Sequence, residues 1–211
     1  MPASERTTMR VYVPATLPML RELVTERKLH AVGDTAFALT PALREAYASG
    51  DDEELSEVAM AEAARAVLRL LATDRETTAD SPDEPEETAG PAGVPDDGTP
   101  DDGSDAVPRR DIYAGGPIYR RAVIAVDVTD ATLRPDLDDA VVKLSGPISY
   151  ERVASVHVDL ADAEPAVAKA VDVIDAADLG DPDAEFILGD AEDHQLAWYA
   201  AQELPFLLDL L

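Results

Sequence analysis

In residues 9–16, MRVYVPAT, the apolar Val11 and Val13 alternate with Arg10 and Tyr12, which predicts a short strand ended by Pro14. Thr16 then stands where a helix N-cap belongs. Behind it Leu17, Leu20, Leu23 and Val24 recur at helical spacing, with Pro18 in the tolerated first turn. Thr40–Pro41 predicts another helix start and Gly50 its stop. The strongest helical signal covers residues 52–72, where Leu55, Val58, Ala59, Ala63, Ala66, Val67, Leu70 and Leu71 form one stripe. Asp51, Asp52, Glu53 and Glu54 sit at the positive end of its dipole. Such a stripe more often packs on its own sheet than on a partner.

The pattern lapses after residue 73 and resumes as a buried strand in YRRAVIAVDV, 119–128. AVVKLSG (140–146), SVHVDL (155–160) and HQLAWYA (194–200) predict three further strands, with a short helix over SYERVA between the first two of these. A longer helix covers 162–180, with Asp162 as its cap, Val167, Ala170, Val171, Ile174 and Ala177 as its stripe, and Gly180 as its stop. Leu204, Leu207, Leu208 and Leu211 form a closing helical stripe; left open at a chain end it would invite aggregation, so it is expected to fold back and bury Trp198. Together these elements predict one α/β or α+β layered domain, a mixed sheet of about five strands flanked by helices.

Composition adds an interruption to that domain. Residues 74–107 hold 12 acids against one base, together with many prolines and glycines, and cannot bury enough apolar surface to order themselves. The expected organisation is therefore a disordered tail over 1–8 and a single domain over 9–211, with 74–116 as a disordered acidic insertion. The chain carries a net charge of −27, and without the acidic stretch 32 acids still face 16 bases. Such a body repels phosphate backbones and anionic membranes, so neither nucleic acid nor membrane is an expected partner. A basic protein, a neutral small ligand or a divalent cation is compatible with it. The absence of cysteine excludes thiolate metal sites and Cys nucleophiles. With neither a signal-peptide pattern nor a membrane-length apolar run, the expected location is the cytoplasm.

Three stretches carry a family likeness: MRVYVPATLPMLREL, LTPALREAY with the Ala-rich helix ending LRLLA, and the closing LAWYAAQELPFLLDLL. They resemble a family of small acidic actinobacterial proteins classed as a domain of unknown function. The resemblance covers about 9–72 and 119–211. It implies that both halves form one unit, that the acidic stretch is an insertion and that Met9 is the functional start. It brings no catalytic residues.

The candidate chemistry is sparse. On a strand, His157 and Asp159 share a face and could together hold a metal ion, although two ligands fall short of the usual three or four. In an open α/β sheet, ligands bind beyond the carboxyl ends of parallel strands. The loops Pro14–Thr16, Asp127–Asp130 and Asp159–Asp162 would meet there. Asp181, Asp183, Glu185 and Glu192 match EF-hand positions, but Phe186 stands where the loop needs glycine, which favours a plain acidic loop. His30 and His194 stand alone. Arg109, Arg110, Arg120 and Arg121 are expected to pair with the neighbouring acidic stretch, a local anion site being the rarer alternative. There is no P-loop, dinucleotide fingerprint, HExxH or nucleophile elbow.

Two functional readings follow. The first is a non-enzymatic binding or regulatory domain, needing no cofactor, that acts through a protein partner or small ligand. The second is a carboxylate-based enzyme, with Mg²⁺ as its metal, performing phosphoryl transfer or hydrolysis through Asp127, Asp130, His157 and Asp159.

Overall fold

In a computed structural model, which describes residues 8–79 and 118–211, the opening strand runs over Met9–Ala15 (β1) into helix Leu17–Glu26 (α1). Thr16 is buried at the helix start, and its side chain makes no capping bond. Lys28–Leu29 (β2) and Thr35–Phe37 (β3) follow, too short to leave a periodic trace in the sequence. Helix Pro41–Ala46 (α2) starts where Thr40–Pro41 predicted. The Thr40 hydroxyl accepts the Leu43 N–H at 3.0 Å and donates to the Asp139 carbonyl, so one side chain caps the helix and ties it to a distant loop.

Helix Asp52–Ala79 (α3) begins with a reciprocal cap. Asp51 accepts the N–H groups of Glu53 and Glu54, while the Glu54 carboxylate accepts the N–H of Asp51. The helix continues past residue 74, where the loop was expected to begin. Arg69 pairs with Asp178 and, within the extra turns, Arg75 pairs with Asp172, both partners lying on a neighbouring helix. The rest of the acidic stretch, the tail over 1–7, Arg109 and Arg110 lie outside the described residues.

The second half supplies Ala122–Val128 (β4), Ala131–Leu133 (β5), Val141–Leu144 (β6), Ile148–Ser149 (β7) and Val153–Val158 (β8). Helices Glu164–Asp178 (α4) and Pro182–Glu192 (α5) come next, then Ala197–Ala200 (β9) and Leu204–Leu210 (α6). Helix α5 replaces the expected acidic loop. Asp181 accepts the N–H groups of Asp183 and Ala184, Pro182 occupies the first turn, and Ala184, Leu188 and Ala191 supply a buried face. Asp162 does not cap α4, whose N-cap position is Ala163.

The fold is α+β. Seven strands form one sheet in the order β5-β6-β3-β1-β4-β8-β9, and β2 pairs with β7 in a separate ribbon. Every pairing is antiparallel, whereas a mixed sheet of about five strands was expected. The two sheet faces hold separate cores. Val11, Val13, Ile124, Val126, Val156 and Val158 join Leu20 and Leu23 of α1 with Leu204 and Leu208 of α6. On the opposite face, Phe37, Val123 and Val141 pack with the apolar stripes of α3, α4 and α5. Helix α3 lies across β1, β3 and β4, with α4 beside it and α5 against α4.

The closing helix therefore folds back onto the protein's own core, as expected, but it does not bury Trp198. The indole is 60% exposed. Trp198 lies opposite His157 in the register and Tyr199 opposite Val156, so alternation directs Tyr199 to the α1–α6 face and Trp198 to the other. The tail covers the wrong side of the sheet to shelter it. Among the described residues no helix is long and apolar enough to cross a membrane.

Candidate functional site

The antiparallel sheet separates the carboxylates that a parallel one would gather. In the β4–β8 register Ala122 faces Val158 and Val126 faces Val153. Asp127 and Asp130 thus lie at one end of the sheet and His157 and Asp159 at the other, roughly 17 Å away along the strands at ~3.4 Å per residue. Only Pro14–Thr16 shares the end that holds Asp159, since Ala15 pairs with Ala122.

Asp127 pairs with Arg10 on the neighbouring strand through bonds of 2.6 and 3.0 Å. The guanidinium hydrogen bond holds its carboxyl below the usual aspartate range. The Asp130 carboxylate accepts from Thr129, and its carbonyl accepts from the Ser145 N–H and hydroxyl. A small polar cleft of ≈ 290 Å³ at this end includes Asp130, Ser145 and Arg152.

Asp159 has a different occupation. Its carboxylate is fully buried and accepts three bonds from Arg121: the backbone N–H at 2.8 Å, Nε at 2.9 Å and Nη2 at 2.9 Å. Arg121 Nη2 also donates to the His194 carbonyl at 2.8 Å. One buried ion pair thus fastens the start of β4 to the end of β8 and to the loop between α5 and β9. His157 does not join it. Its Nε2 lies 3.1 Å from the Ser155 hydroxyl on the same strand face. Among the described residues no group of three or more His, Asp or Glu side chains is placed to hold a metal.

The EF-hand-like carboxylates do not converge either. Asp181 caps α5, and Glu185 and Glu192, two turns apart, both bind Arg65 of α3. Of the four arginines expected to meet the acidic stretch, Arg120 pairs with Glu164 at 2.6 Å and Arg121 with Asp159.

Beside this buried pair lies a cleft of ≈ 460 Å³, within the size range of small-ligand sites. It exists because α3 crosses β1, β3 and β4 and leaves the β8–β9 end of that face open. Met60, Ala61 and Ala64 of α3 line it together with Leu196 and Trp198. His157, Arg121, Glu57 and Glu192 also line it. Arg121 Nη1 makes no hydrogen bond among the described residues, which leaves one guanidinium edge for an incoming acceptor. Arg121 and Trp198 were not among the predicted site residues. The available signal for Arg121 was a charge directly ahead of a buried strand, which requires a partner.

Burial lowers the His157 pKa below its ordinary value. As pH falls below about 6.5, the unfolded chain takes up this proton before the folded one does, so stability declines from there to the lower folded pKa. His157→Gln should abolish that component. The difference in melting temperature between wild type and variant should then change across this window; a constant difference would place His157 in solvent-like surroundings.

Neither a curated protein nor a solved structure matches the chain. A family model, described as a family of unknown function, matches residues 9–88 and 104–208. The intervening 89–103 fall within the acidic stretch, while 74–88 and 104–116 lie inside the match. The match extends over most of the sequence and over both halves of the sheet, and the chain belongs to DUF6912, a family of unknown function.

Proposed function

We propose that the protein is a non-enzymatic cytoplasmic binding domain and that it binds through the cleft between α3 and the β8–β9 end of the sheet. The observation that carries this reading is the placement of an exposed residue, Trp198, beside the Arg121 guanidinium, one nitrogen of which has no partner among the described residues. Apolar walls with a few convergent polar groups are the usual composition of a recognition site. The carboxylate-enzyme reading has less support. Asp127 and Asp159 belong to opposite sheet ends, and each already holds an arginine.

Trp198 is the only tryptophan, so its emission reports directly on the cleft. A ligand that fills it should change that emission and raise the melting temperature together, by about 2.7 kcal/mol of stabilisation at a hundredfold excess over Kd. Ala61→Phe, on the exposed wall of α3, should narrow the cleft and weaken both effects without loss of fold. A melting shift with Mg²⁺ that leaves the emission unchanged and vanishes in Asp130→Asn would favour the enzyme instead.

A further inference from the structure

We propose that the occupant of the cleft is an extended basic protein segment, which adds to β9 as a further strand and lays a lysine or arginine between Trp198 and the carboxylates lining the cleft. This rests on the binding reading of the cleft given above.

The first ground is the edge itself. β9 ends the seven-stranded sheet. The Asp159 N–H donates to the Arg121 carbonyl, which fixes the phase of hydrogen bonding along β8. Asp159 and His157 therefore direct their backbone groups to β4, and Val156 and Val158 direct theirs to Tyr199 and Ala197 of β9. By alternation the N–H and C=O of Trp198 point away from the sheet. The Ala200 N–H, which shares their direction, is taken by the Glu203 carboxylate at 2.8 Å, an independent sign that among the described residues no strand pairs on this side. The strand is short, but its sequence AWYA carries no proline, no lysine and no inward charge to block pairing.

The second ground is where an added residue would place its side chain. A residue paired with Trp198 lies on the same sheet face, with its Cβ about 4.5–5.5 Å away. That position overhangs the cleft. An ammonium or guanidinium there meets the indole, the strongest aromatic partner for a cation. The Arg121 donor lining the cleft is left for a carbonyl or hydroxyl oxygen of the same segment, since a cation has no acceptor to offer it. Among the residues lining the cleft the cation also meets two exposed carboxylates, Glu57, which takes no partner among the described residues, and Glu192, which shares its carboxylate with Arg65.

The third ground is charge. A chain at −27 attracts a basic segment and repels a second copy of itself, so strand pairing between two β9 edges is the disfavoured occupant.

The test uses the full chain and a short blocked peptide alternating arginine and threonine, followed by Trp198 emission and calorimetry. The arginine peptide should bind, more weakly as salt rises. Replacing its arginines with glutamine should weaken binding about tenfold or more, equivalent to ~1.4 kcal/mol. N-methylation of the arginine backbone nitrogens, which face β9 in this pairing, should abolish binding. Glu57→Gln with Glu192→Gln should reduce the preference for arginine over glutamine while leaving melting close to wild type. Equal binding of the glutamine peptide, or no effect of N-methylation, overturns the proposal. If the arginine peptide fails but a small molecule still shifts Trp198 emission, the partner class falls and the cleft reading stands. If nothing shifts it, both fall. Sedimentation as a dimer that buries Trp198 would give the edge to a second copy and likewise overturn the proposal.

Discussion

Asp159→Ala should destabilise the protein by about 3–5 kcal/mol, because it strands a buried guanidinium without its counter-charge. Asp159 presents no side-chain surface to solvent and Arg121 only 2%. Three of the bonds that fix the start of β4 end on this one carboxylate. Arg121→Met alone should cost a similar amount by leaving the carboxylate buried. The double change Arg121→Met with Asp159→Leu should recover much of the loss, since an apolar pair of similar volume removes both desolvation costs. Urea denaturation of the single and double variants gives the comparison. A loss below about 1 kcal/mol for Asp159→Ala would mean that water reaches the pair, as in an exposed salt bridge.

Ending the chain after Gln202 should lower the melting temperature sharply and leave Trp198 emission nearly unchanged. The cut removes Leu204 and Leu208, both buried against α1 and the sheet, at roughly 1.5–3 kcal/mol each. Leu204→Ala alone should cost about 2–5 kcal/mol by opening a cavity at a fully buried position. The indole faces the opposite side of the sheet, so its emission should be that of an exposed tryptophan in both the full and the shortened chain. A red shift on truncation would show that α6 reaches around the β9 edge to cover it.

The sequence pattern located β1, α1, α3, β4, β6, β8, α4, β9 and α6 because each places enough apolar residues in one period to be read locally. It missed β3 and β5, which are three residues long and owe their strand conformation to their neighbours. It also missed α5, whose deciding cap at Asp181 reads as part of an acidic loop. The candidate site failed for a topological reason. Strand direction leaves no trace in an apolar pattern, and the cluster of Asp127, Asp130, His157 and Asp159 existed only if the strands ran parallel. Trp198 failed by one face. Its alternation with Tyr199 was legible, but which of the two faces the tail would cover depends on how the chain turns after Ala200, where Glu203 accepts the Ala200 N–H.

The order of strands in the sheet also bears on how the chain can be made. β3 and β1 come from the first 37 residues, yet they lie side by side between β6 and β4, which are synthesised only after the acidic stretch. On a ribosome the N-terminal portion would emerge with two strands whose outer partners do not yet exist, and with α3 lacking β4 and α4 to pack on. A nascent chain of this design has to hold its apolar stripes in waiting until the second portion arrives to close around them.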